Sequence, residues 1–285
     1  MKHLVLIAAL ALTACSTATP PAAVLDPVSP LAGTPCDPPL AIPASIIASV
    51  RSRFEEGATP TAITEADRAA YTAMGATQRA NDWANLCYFR AANSELAAGP
   101  AEPNRVVFMG DSITQSWLFG DPALFGSASV NRGISGQTTP QMLLRFRADV
   151  LGLKPRAVHI MAGVNDIAGN TGPTTVEDIE NNIASMVELA KAHNVTVILA
   201  TVLPAASFTW APQLKPAPSI AKLNAWIQAY AAEQNLVVAN YFPAMATPDG
   251  AMKPELTLDG VHPNKAGYAV MAPIARAAMK EALAR

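Results

Sequence analysis

Charge is scarce in this chain. Asp, Glu, Lys and Arg make up 15% of the 285 residues and nearly cancel, leaving a formal net charge of −2. With no basic surplus the electrostatic footprint of a nucleic-acid binder is missing, so no nucleic-acid partner is expected. Cysteine is scarce too. The three residues, Cys15, Cys36 and Cys87, form no CxxC pair and no metal-ligand spacing, so no metal site is expected. No apolar run reaches the roughly 18 residues that a spanning helix needs. What the chain has in quantity is apolar side chain, 51% of the total, enough for one full α/β domain with appendages.

The first fourteen residues read as a targeting segment. Lys2 gives the positive start, and Leu4 to Ala14 is an apolar run of signal-peptide length. Leu12-Thr13-Ala14-Cys15 resembles the lipobox of bacterial lipoproteins, which implies cleavage before Cys15 and lipidation of its sulfur; an ordinary signal peptide is the alternative. The expected location is therefore the cell envelope, on an outer membrane or facing a periplasm, with the membrane met through a lipid anchor. Cys36 and Cys87 then remain as an even pair in an oxidising compartment, either as a disulfide or as two buried thiols.

Four regions are expected: a signal peptide at 1–14, a lipidated cysteine and tether at 15–43, a helical extension at 44–98 and the main domain at 99–285. Eight prolines between Ser16 and Pro43 rule out a continuing helix and favour an extended tether. In the extension, Ile46, Ile47, Val50 and Phe54 share a helical face. Thr64 to Asp67 has capping-box spacing, and Trp83, Leu86, Cys87 and Arg90 follow a 3.6-residue period. No chemistry is evident there. From Arg105 onward strands (105–109, 128–131, 156–162, 195–202, 235–240) alternate with helices (140–152, 175–193, 218–233, 264–284), the pattern of a parallel sheet with helices on both faces. Pro273 interrupts the last helical pattern and predicts a kink or a later helix start.

Four segments fall where a parallel sheet presents its carboxyl edge: Gly110-Asp111-Ser112, Asn131 to Gly136, Gly163-Val164-Asn165-Asp166 and Asp259-Gly260-Val261-His262. A serine needs a base to act as a nucleophile at neutral pH, and histidine suits the task. His262 is the best candidate, because Asp259 three residues earlier can bond Nδ1 and leave Nε2 toward Ser112. His159 lies in a core strand and His193 at a helix end. Acyl transfer also needs donors for an oxyanion, and the Ser112 N–H, the Gly136 N–H and the Asn165 amide can supply them. Asp111, Asp166, Trp117 and Arg132 read as support for these loops.

In residue pattern and order the four segments resemble the blocks of the SGNH (GDSL-type) hydrolase family, with Ile113 where the family name has leucine. The resemblance implies a flavodoxin-like three-layer α/β/α fold and a serine esterase without metal or organic cofactor. It makes Ser112, Asp259 and His262 the triad, and Ser112, Gly136 and Asn165 the oxyanion hole. The substrate expected is a short-chain ester, such as O-acetyl groups on carbohydrate, because an envelope location offers acetylated polysaccharide. Lysophospholipid or thioester hydrolysis, acyl transfer, and a non-catalytic surface binding lipoprotein are the competing readings. Phe208 and Trp210, in a proline-broken loop after the fourth strand, either line the substrate pocket or pack within the loop.

Overall fold

The computed structural model describes residues 36, 42–55, 57, 59 and 61–285. The signal-like segment, Cys15 and nearly all of the tether lie outside the described residues. Contacts gather Pro39–Arg285 into one unit.

Five strands form a wholly parallel sheet: β1 (Val106–Gly110), β2 (Ser129–Gly133), β3 (Ala157–Met161), β4 (Thr196–Ala200) and β5 (Val237–Ala239), in the order β2-β1-β3-β4-β5. Every residue of β1 and β3 is buried, which explains why both are apolar but for His159: a strand covered on both faces has no polar side to show. The direction in which successive strands are added to the sheet reverses between β1 and β3. The loops leaving those two strands therefore part and open a crevice, the switch point where flavodoxin-like sheets bind ligands.

Helices cover both faces. On one lie α4 (Ser112–Gly120) and the last helix, α10 (Lys265–Ala284); on the other lie α5 (Thr139–Asp149), α7 (Val176–Ala192) and α8 (Ala217–Glu233), as right-handed crossovers require. A four-residue helix α6 (Val164–Ile167) follows β3, and a second, α9 (Phe242–Met245), follows β5. Tyr268 ties α10 to α4 by donating to the Ile113 carbonyl at 2.7 Å. Pro273 does not delay α10, which starts at Lys265 under an Asn264 cap and runs through the proline. The buried stripe of Tyr268, Met271, Ala275, Ala278 and Ala282 offsets the roughly 3 kcal/mol that an interior proline costs.

The extension forms α1 (Ala44–Ser52), α2 (Glu65–Asn81) and α3 (Arg90–Ala98), with Thr64 capping α2 through the Asp67 N–H. The helical period expected from Trp83 to Arg90 is not realised. Asp82 takes the N–H groups of Leu86 and Cys87 on its carboxylate, and Asn85 adopts φ 56°. The carbonyls of Trp83 and Ala84 turn outward to Gln141 and Gln137 of the main domain. Tertiary partners have replaced the helical ones. Cys36 and Cys87 are both disulfide-bonded.

β2 extends two residues past its expected end, through Arg132 and Gly133, because Gly133 pairs with Gly110. A Cβ at Gly133 would fall on the backbone of Gln115 and Asp111, so only glycine lets β2 lie this close to the first turn of α4. Gly133→Ala is expected to cost at least about 1–3 kcal/mol, the usual penalty of overpacking. A urea melt would show it as a lower midpoint, and an unchanged midpoint would mean that β2 can move away from α4 freely.

Candidate active site

β1 ends at Gly110 and α4 begins at Ser112 with Asp111 as its N-cap. The Asp111 carboxylate accepts the Ile113 N–H at 2.9 Å, satisfying one of the donors that every helix start leaves open. This turn places Ser112 at the carboxyl edge of the sheet, beside the switch point.

His262 arrives from the far end of the chain. Its loop is pinned by an isolated bridge between Thr257 and Pro263 and by bonds from the Leu258 N–H and the Thr257 hydroxyl to the His262 carbonyl. Asp259 folds back over the loop, with Oδ1 accepting the N–H groups of Val261 and His262 at 3.0 and 2.8 Å. Its Oδ2 meets His262 Nδ1 at 2.8 Å, and His262 Nε2 lies 2.9 Å from Ser112 Oγ. Partial burial opposes the charge on Asp259, but the hydrogen bond and positive potential of His262, with the two backbone donors, hold its pKa down to about 2. The carboxylate therefore stays ionised well into acid, where it can orient the imidazole.

The other candidate residues converge on the same edge. Gly136 sits at φ 78°, a left-handed position that suits glycine. Among the described hydrogen bonds none uses the N–H of Ser112 or of Gly136. Asn165, buried on α6, gives one amide proton to the Gln137 carbonyl at 3.0 Å, which leaves its second proton unspent. Asp166 accepts the Thr139 N–H and hydroxyl, joining the α6 loop to the start of α5. Burial raises its pKa against those bonds.

Three residues that carried no signal in the sequence hold this arrangement. Asn170 donates to the Asn165 side-chain oxygen at 2.9 Å and to the Gly136 carbonyl at 3.2 Å, bracing both. Arg145, with no exposed surface, donates to the Gly110 carbonyl, to Gln137 Oε1 and to Asp149. Gln137 in turn reaches the extension through the Ala84 carbonyl at 3.0 Å. Asn170 sits in a Gly-Asn-Thr-Gly stretch that looks like an ordinary turn, and Arg145 looks like one face of a helix.

The two loop aromatics separate. Phe208 is fully buried, whereas Trp210 is 45% exposed. Trp210 stacks on Phe208 at 5.0 Å and lies 6.0 Å from the His262 ring, so it forms a wall beside the histidine. His159 is buried against the Tyr241 hydroxyl at 2.9 Å, and burial drives its pKa down to about 3. His193 is the C-cap of α7.

Fold and site together define an α/β/α serine ester hydrolase. The model of the GDSL-like lipase/acylhydrolase family matches residues 108–270, and the chain belongs to that family. A solved Bacteroides fragilis structure assigned as an acylhydrolase is 46% identical, with a TM-score of 0.68, and the match covers 71% of this chain and 99% of that one. A GDSL-like lipase from Bacteroides thetaiotaomicron is 44% identical, again at a TM-score of 0.68, covering 70% of this chain and 100% of the other. An uncharacterized lipoprotein of Bacillus subtilis, YqeF, is 40% identical over 78 residues, which are 26% of this chain and 32% of that protein. Among the described residues no helix is long and apolar enough to cross a membrane.

Asp111 offers a test of the electrostatics. Burial outweighs its hydrogen bond to Ile113 and the potential of His262, and raises its pKa from 3.8 to about 6. The folded state thus holds this proton more tightly than the unfolded chain does. The resulting stabilisation is complete below about pH 3.8 and is lost as pH rises through about 6. Asp111→Asn keeps the cap and removes the buried charge, so its Tm should exceed that of wild type by several degrees at pH 8 and match it at pH 3.5. A variant less stable at pH 8 would contradict the assignment.

Proposed function

We propose that the chain hydrolyses short-chain carboxylic esters, O-acetyl groups on carbohydrate among them, through an acyl-enzyme on Ser112. The observation that carries this is the 2.9 Å approach of Ser112 Oγ to a histidine whose other nitrogen is held by Asp259. His262 Nε2 takes the serine proton as Oγ attacks the ester carbonyl, and the Asp259 carboxylate stabilises the imidazolium that forms. The N–H groups of Ser112 and Gly136 and the spare amide proton of Asn165 receive the oxyanion. The tetrahedral intermediate expels the alcohol, which takes the proton from His262. Water, activated by the same histidine, then releases the acid and restores Ser112.

Asn170 acts through its neighbours as a positioning residue, since it holds the Asn165 amide and the Gly136 peptide in place. The leader at 1–14 and Cys15 support a lipid-anchored enzyme of the cell envelope, reaching outward on the tether at 15–43, with the extension at 44–98 and the hydrolase domain at 99–285. The named lipoprotein among the similar proteins agrees with that reading.

The test uses residues 16–285 without lipid and a p-nitrophenyl ester series from acetate to palmitate. Turnover should be greatest on acetate or butyrate and lost in Ser112→Ala; a preference for long chains would move the substrate to lipids. Asn165→Ala should lower kcat by about 10²–10³ with folding intact, and a loss of threefold or less would remove Asn165 from the oxyanion hole. Asn170→Ala should lower kcat by roughly tenfold with KM unchanged, a smaller cost because its donors remain on the chain. Equal kcat in Asn170→Ala and wild type would reduce Asn170 to a loop residue.

A further inference from the structure

The extension does more than brace the hydrolase domain through Gln137 and Gln141. Between α2 and the loops of the hydrolase domain lies a cavity of about 570 Å³, within the range of small-ligand sites, roughly 300–1,000 Å³. Tyr71, Gln78, Arg79 and Trp83 line it from the extension, and Gly136 and Asn170 line it from the catalytic edge. One wall is therefore the peptide whose N–H is offered to the oxyanion, and the opposite wall is a segment with no part in the chemistry. We infer that this cavity is the alcohol-side subsite and that it takes the sugar chain of an O-acetylated oligosaccharide. The inference rests on the esterase reading above.

The chemistry of the lining selects the ligand. Tyr71 and Trp83 remain 39% and 40% exposed, which gives the cavity two aromatic faces that the fold does not cover. Such faces suit the C–H face of a pyranose ring, while side-chain amides and hydroxyls beside them both donate and accept, as sugar hydroxyls do. Gln78 and Asn85 provide these groups, and among the described residues no carboxylate lines the cavity. An alkyl chain laid here would strand those polar groups without partners, at a cost of about 1–3 kcal/mol for each one buried. The lining therefore opposes a fatty acyl or lipid occupant.

The walls are held to the catalytic loops before any ligand binds. Gln141 donates to the Trp83 carbonyl at 2.7 Å and Gln137 to the Ala84 carbonyl at 3.0 Å. Gln115, one turn after Ser112, donates to the Tyr88 hydroxyl at 2.6 Å and accepts both the N–H and the hydroxyl of Ser135. Because the bonds to residues 83 and 84 use backbone carbonyls, the Trp83 side chain can be changed without removing them.

The experiment titrates the full chain, purified in detergent, with xylotetraose, cellotetraose and chitotetraose. Ligand-observed NMR reads binding, and p-nitrophenyl acetate hydrolysis is followed in parallel. At least one saccharide should bind and inhibit competitively, and Trp83→Ala and Tyr71→Ala should each weaken that binding tenfold or more, with Trp83→Phe restoring most of it. A wild-type enzyme that turns over p-nitrophenyl acetate yet binds none of the saccharides would overturn the subsite and leave the esterase reading standing. So would saccharide binding that both alanine variants retain, or competition by lysophosphatidylcholine alone. Absent turnover of p-nitrophenyl acetate would count against the esterase reading, while the NMR titration still decides whether the cavity takes sugar. Should Trp83→Ala fail to fold, Tyr71→Ala and Gln78→Ala carry the comparison.

Discussion

Arg145 has no surface exposed, and its three bonds join parts of the molecule that the chain keeps apart. One reaches Gly110 at the end of β1, just before the nucleophile turn; one reaches Gln137, just after Gly136; the third pairs with Asp149 at 2.9 Å. Burial lowers the guanidinium pKa against the attraction of Asp149. A buried pair of this kind is a weak source of net stability, but removing one partner leaves a stranded charge at a cost of about 3–5 kcal/mol. The loops after β1 and β2 are thereby committed to one relative placement, which is what the nucleophile and oxyanion donor proposed on them require.

The same network runs outward. Asp149 also accepts Asn93 of α3, whose side-chain oxygen takes Arg132 of β2, and the Arg132 guanidinium lies 4.6 Å over the Phe89 ring. Arg132, buried on the edge strand, thus takes one of its hydrogen-bond partners and its aromatic contact from the extension. The extension is accordingly built into the hydrolase unit: it meets Arg132 of the edge strand, receives Gln137 and Gln141, and walls the cavity beside Gly136. Polar bonds share this docking with Phe54, which is buried against Phe119 and Tyr268, and both depend on partners far along the chain.

That dependence explains what could be read from the sequence. The strand–helix alternation, the parallel sheet and the family blocks were legible because each is written in a window of a few residues: an apolar run, a glycine where a helix start crowds a strand, an aspartate three residues before a histidine. Boundaries moved where long-range pairing decided them, as when β2 ran on through Gly133 to match Gly110. Local period misled at Trp83 to Arg90, where carbonyls that a helix would use are bonded by Gln137 and Gln141 instead.

By itself the sequence determined the fold class, the family and the candidate residues Ser112, Gly136, Asn165, Asp259 and His262, since block order and hydrophobic period are local properties of the chain. Only the tertiary structure decided that Ser112 and His262, 150 residues apart, stand within a hydrogen bond. It also separated Trp210, exposed beside the histidine, from Phe208, buried beneath it, and brought Asn170, Arg145 and α2 to the site. Those assignments depend on distances between segments remote in the chain, and such distances are set by how helices pack on a twisted sheet.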